Sequence, residues 1–172
     1  MDLYNVYPLF DINIVKGEGC KVWDDKGTEY LDLYGGHAVI SIGHAHPHYV
    51  ECISSQVQKL GFYSNSVINK LQTAVAEKLG RLSGYEDYSA FFVNSGAEAN
   101  ECAIKAARKY AAKTLGDDFY KIITLRNSFH GRTITTLAAT GQDTFHNDFL
   151  PLTEGFLYCE ANNCEELESL VK

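Results

Sequence analysis

The segment from Phe91 to Lys113, FFVNSGAEANECAIKAARKYAAK, turns from an apolar, aromatic run into a long alanine-rich stretch across Asn94, Ser95, Gly96 and Ala97. Aromatic and β-branched residues favour a strand, and an unbroken run of Ala, Glu, Lys and Arg favours a helix. The spelling therefore predicts a buried strand over 89–94 running straight into a helix over 97–115, which Gly116 ends. A strand that feeds a helix through so short a turn is half of a βαβ unit, and such units build α/β layers around a parallel sheet. Downstream the alternation repeats. YKIITL at 120–125 and FLYC at 156–159 read as strands, and Asn163 reads as the cap of a last helix. RTITTLAATG at 132–141 stays open, because Thr and Ile favour a strand and Leu-Ala-Ala a helix.

Upstream, the first 45 residues are β-rich. Short runs around Val22–Trp23 and Tyr30–Leu33 flank Asp24-Asp25-Lys26-Gly27, a hairpin connection in which Gly27 supplies the positive φ. From Pro47 the period lengthens: Val50, Ile53, Val57 and Leu60 fall on one helical face, with Pro47 suited to the first helical position. A second amphipathic helix follows Asn69, with Leu71, Val75, Leu79 and Leu82 on one side and Gly84 at its end.

Composition narrows the function. A hydrophobic fraction of 45% with 22% charged residues over 172 positions belongs to a globular domain. The apolar runs are too short to span a bilayer, and MDLYNVYPLF lacks the basic start of a signal peptide, so a cytoplasmic protein without a membrane partner is expected. A formal charge of −7 disfavours nucleic acid, whose phosphates need a basic face. Cysteines at 20, 52, 102, 159 and 164 form no C-x-x-C pair, hence neither a disulfide framework nor a zinc ribbon. In GHAHPH, His44, His46 and His48 alternate, but Pro47 breaks the strand that would align them, so no metal site is expected.

The turn at Ser95 is the first candidate site. In open α/β sheets ligands lie at the carboxyl ends of the strands, where helix N-termini present unpaired amides. Gly96 and Ala97 leave those amides uncovered and Ser95 adds a hydroxyl, a setting for a phosphate group. The same three residues also suit a plain tight turn with Ser95 as cap. A second unusual stretch, RNSFHGRTITT, follows the strand at 120–125 and would emerge on the same sheet edge. In it Phe129 can cover a flat ligand, and Arg132 can fork a carboxylate through parallel N–H bonds.

NSGAEANECAIKAARK and FHGRT together resemble class III aminotransferases of PLP fold type I, in their acetylornithine aminotransferase branch. VKGEGCKVWDDKGTEYLDLYGGHAVISIGHAHP matches the N-terminal block of that family. The resemblance implies an α/β fold, a mostly parallel sheet with helices on both faces, preceded by a β-rich segment of a small domain (residues 1–45). Residues 46–172 would be the first part of the large, cofactor-binding domain. It implies pyridoxal 5'-phosphate as cofactor, its phosphate on Ser95, Gly96 and Ala97 and its ring under Phe129, with Arg132 on the substrate α-carboxylate. Tyr7 falls where relatives carry a substrate-contacting tyrosine, and His130 neighbours the ring without a proton-transfer role.

The implied activity moves an amino group from an acylated ornithine (acetyl or succinyl) to 2-oxoglutarate, giving glutamate, in arginine biosynthesis, by a homodimer when full length. His37 stands where ornithine δ-aminotransferases, the nearest alternative, carry a tyrosine. The catalytic lysine that forms the Schiff base, and the acid beside the pyridine nitrogen, lie further along in the family. Lys105, Lys109 and Lys113 read as a solvated helix face. The match is thus to the N-terminal part of such an enzyme, an incomplete chain expected to be inactive alone. A non-catalytic module that binds a phosphorylated ligand or assembles with a partner is the reading from another class.

Overall fold

A computed structural model describes residues 1–171, which gather into two compact units, Met1–Lys70 and the segment from Leu71 onward. Among the described residues, no helix is long and apolar enough to cross a membrane.

In the first unit, strands β1 (Ile14–Glu18), β2 (Lys21–Asp24) and β3 (Glu29–Leu31) form an antiparallel sheet in sequence order. The β2–β3 hairpin is the one expected, with Gly27 at φ +83°. Asp24 fixes it: its Oδ1 accepts from the amides of Lys26 (3.0 Å) and Thr28 (2.7 Å), and its Oδ2 accepts from the Tyr30 hydroxyl (2.8 Å). Burial works against ionising this carboxyl, but those donors outweigh it and hold Asp24 below the ordinary carboxylate range.

A single turn, α1 (Gly35–Ala38), follows in left-handed geometry, with φ between +56° and +60° from Gly35 to Ala38. Asp32 caps it through the amides of Tyr34 and Gly35, and its other oxygen lies 2.6 Å from His44 Nε2. His44, which could have been read as a metal ligand, thus locks a turn. Helix α2 (Pro47–Lys59) begins at Pro47 as expected. Its face of Val50, Ile53, Val57 and Leu60 forms but stays exposed.

The second unit opens with α3 (Lys70–Ser83), whose apolar face is likewise exposed. The strand expected over 89–94 does not form. Among the described residues this extended segment has no ladder partner, and Phe91 is 71% exposed. Propensity makes a segment fit for a sheet, but only a hydrogen-bonded neighbour makes it a strand. Helix α4 (Gly96–Thr114) follows, then β4 (Ile122–Leu125), which pairs in parallel with β5 (Phe156–Cys159), Thr124 opposite Tyr158.

The ambiguous 132–141 segment resolves as helix α5 (Ile134–Ala139). Its start is a reciprocal cap between Thr133 and Thr136, and Leu137, Ala138 and Ala139 are buried in the core with Ile104 and Cys159. Tyr158 of β5 donates its hydroxyl to the Ala138 carbonyl and ties the helix to the strand. Helix α6 (Cys164–Val171) closes the description, with Asn163 Oδ1 accepting from the Glu166 amide (3.1 Å).

Candidate functional site

The first wall of the site is the start of α4. Ser95 is its cap, with extended backbone (φ −149°, ψ 160°) and a hydroxyl that accepts from the Glu98 amide at 3.3 Å. Glu98 folds back in return. Its Oε2 accepts from the Asn94 amide (2.8 Å) and the Ser95 hydroxyl (3.2 Å), and its Oε1 from Asn94 Nδ2 (3.3 Å). Glu98 thus answers the cap on the amide of Asn94, one residue before Ser95, in a variant of the capping box whose S-x-x-E spacing is readable in the sequence. The amides of Gly96 and Ala97, the first two of the helix, have no acceptor within it. A Cβ built on Gly96 would meet nothing within 4 Å, so no neighbour crowds the first position of the helix.

The Asn94 side chain and amide, and after them the Ser95 hydroxyl, hold the Glu98 carboxyl below its ordinary pKa. A depressed carboxyl contributes stability that is present above its unfolded pKa and lost as pH falls through the folded value. Glu98→Gln should therefore lower the denaturation midpoint near neutral pH, with variant and parent converging in acid. Urea melts across that range check this; a constant gap at every pH would mean the carboxylate charge plays no part.

The second wall is the 126–133 loop that leaves β4. Gly131 (φ +134°) seats it against α4: a Cβ there would lie 2.7 Å from Ala97 Cβ and 2.6 Å from Thr136 Oγ1. Only hydrogen fits. On either side, Asn100 Nδ2 donates to the His130 carbonyl (2.8 Å), and the Thr133 hydroxyl donates to Glu101 (2.5 Å). The His130 amide donates to Thr140 Oγ1 at 3.0 Å. The FHGRT loop and the SGA turn, apart in sequence, are thus in direct contact. Asn100 and Glu101, which join the loop to α4, and Thr140, which ties it to the end of α5, carry no signal in one sequence.

Phe129 is 55% exposed, leaving ring surface for a ligand. The Arg132 guanidinium carbon lies 5.9 Å from the Phe129 ring centroid and 4.8 Å from that of Phe145. His130 Nε2 is buried without a hydrogen-bond partner among the described residues and borders an apolar cavity of about 420 Å³ between α4 and β4. An open pair of helix-start amides, an exposed ring and a guanidinium on one loop suit a flat phosphorylated ligand accompanied by a carboxylate. Ser95, Gly96, Ala97, Phe129 and Arg132 belong to these two walls, and Tyr7 belongs to the first unit. In the first unit, His37 lies in the left-handed turn α1 at φ +60°, and His44 pairs with Asp32.

The sequence pattern of the family described as Aminotransferase class-III matches residues 4–170. The chain is 49% identical over 171 residues to the acetylornithine aminotransferase of Caldanaerobacter subterraneus subsp. tengcongensis, covering 99% of this chain and 42% of that protein. It is 45% identical over 166 residues to the acetylornithine aminotransferase of Methanocaldococcus jannaschii, covering 96% of this chain and 41% of that one. Among solved structures, the ornithine aminotransferase of Toxoplasma gondii ME49 superposes with a TM-score of 0.89 at 31% identity, over 98% of this chain and 40% of that one. The chain spans about two-fifths of the length of the curated relatives it matches.

Proposed function

The chain belongs to the class III aminotransferases, and from that membership we propose that it is the N-terminal part of an acetylornithine or succinylornithine aminotransferase that uses pyridoxal 5'-phosphate. Its antiparallel N-terminal sheet and parallel β4–β5 pair are the corresponding part of PLP fold type I. In this reading residues 1–45 belong to a small domain and those from 46 onward to the large one. The whole enzyme transfers an amino group to 2-oxoglutarate as a homodimer in the cytoplasm.

The observation that supports the reading is the close approach of Gly131 to Ala97, which brings the FHGRT loop against the turn that begins α4. Pyridoxal phosphate supplies the aldehyde and electron-withdrawing ring through which an amino group passes between two carbon skeletons. The residues here do the holding. Gly96 and Ala97 would hold the phosphate through their amides, and Ser95 through its hydroxyl. Phe129 would cover the pyridine ring and shield it from water. Arg132 forks the α-carboxylate, which orients the substrate carbon whose bond must break.

Arg132→Lys in the full-length protein is the test. A point charge replaces a planar fork, so KM for both N-acetylornithine and 2-oxoglutarate should rise roughly tenfold, the loss of one charged hydrogen bond. Unchanged KM and kcat for both substrates would remove Arg132 from the site.

A further inference from the structure

Arg132 and Phe129, the two candidate ligand contacts of the FHGRT loop, are exposed side chains that both meet the ring of Phe145. We propose that Phe145 is a positioning residue for both, an aromatic post on which the Arg132 guanidinium packs while its N–H groups fork a substrate carboxylate. The proposal rests on the aminotransferase reading and deepens it.

Phe145 ends a 3₁₀ turn (Asp143–Phe145) on the return of the chain from α5 to β5. That return is laced to the 126–131 loop. The Asn127 amide donates to the Gly141 carbonyl (2.7 Å), the Gly141 amide donates to Ser128 Oγ (3.3 Å), and Gln142 Nε2 donates to the Ser128 carbonyl (3.0 Å). Gly141 passes so close that a Cβ would lie 2.1 Å from the Leu125 carbonyl oxygen. On the other side His146 is buried, and its Nε2 donates to the carbonyls of Thr140 (2.8 Å) and Leu137 (3.1 Å) at the C-terminal end of α5. Phe145 therefore sits between two anchored neighbours, its own amide donating to the Gln142 carbonyl at 3.0 Å.

From that fixed backbone the ring meets both site residues. It contacts Phe129 edge to face, centroids 5.9 Å apart at 69°, the arrangement aromatic quadrupoles prefer. The Arg132 guanidinium carbon lies 4.8 Å from its centroid, closer than to Phe129. A cation over a ring is attracted through its flat face, whereas carboxylate recognition uses the N–H groups at the guanidinium edge. The two interactions are compatible, and the first limits the rotamers the second would otherwise have to freeze.

The experiment compares Phe145→Leu, which keeps apolar bulk without the ring face, with Phe145→Tyr, which keeps the ring, in the full-length protein. Glutarate is the probe, a dicarboxylate with no amino or keto group, its dissociation constant read by calorimetry beside steady-state kinetics. Phe145→Leu should weaken glutarate and raise KM for both substrates about fivefold with kcat nearly unchanged, and Phe145→Tyr should restore parental values. Parental glutarate binding by the leucine variant overturns the proposal. So does a tyrosine variant as weak as the leucine one, since packing alone would then explain the loss. If Arg132→Lys leaves glutarate binding unchanged, the carboxylate-fork reading itself falls. If Arg132→Lys weakens it and Phe145→Leu does not, only the role of Phe145 falls.

Discussion

Replacing Gly131 by alanine is expected to lift the FHGRT loop off helix α4 and to cost the protein about 2–4 kcal/mol of stability. Two independent penalties combine. The backbone at φ +134° is one that side-chain-bearing residues rarely adopt, and the new Cβ would lie 2.7 Å from Ala97 Cβ and 3.1 Å from Ala97 Cα. Those atoms belong to the first turn of a capped helix and cannot swing aside as the end of a long side chain would. The Asn100 and Thr133 bonds should lengthen with the displacement, carrying Phe129 and Arg132 away from the amides of Gly96 and Ala97. The full-length variant should show a lowered thermal midpoint together with weaker pyridoxal phosphate binding by absorbance titration. A variant with parental melting and cofactor affinity would show that the loop tolerates separation from α4, and the contact would lose its meaning for the site.

Gly96→Val should do the opposite: keep the fold and lose the cofactor. A Cβ at Gly96 meets nothing within 4 Å, and the Ser95–Glu98 cap beside it is untouched, so the denaturation midpoint should stay near that of the parent. The branched side chain instead fills the space in front of the helix-start amides. Losing hydrogen bonds to a charged phosphate is worth about 1.5–3 kcal/mol, which corresponds to roughly ten- to a hundredfold in affinity. Absorbance titration with pyridoxal phosphate and urea unfolding on the same preparation separate the two effects. A large stability loss with normal cofactor affinity would make the turn structural and send the phosphate elsewhere.

Much of this architecture is written locally, in signals a few residues wide. Ser95, Thr133 and Asn163 each cap the helix that follows, Pro47 starts one and Gly27 closes a hairpin, because capping and turn chemistry depend on neighbours in the chain. The candidate site was legible for the same reason. SGA and FHGRT are short runs whose chemistry, open amides, a ring and a guanidinium, is carried by residue type.

What the tertiary structure decided lies where distant segments meet. Strand propensity at 89–94 was real, but a strand needs a neighbour, and β4 pairs with β5 instead. The 132–141 segment became a helix because the core between α4 and β5 buries Leu137, Ala138 and Ala139 and because Thr136 returns the cap of Thr133. No local rule puts Gly131 against Ala97, brings Phe145 under Arg132, or turns His146 onto the end of α5. Those contacts arise from close packing between elements, which a sequence constrains only through all of its residues together, so a single chain read from left to right names the groups but not the distances between them.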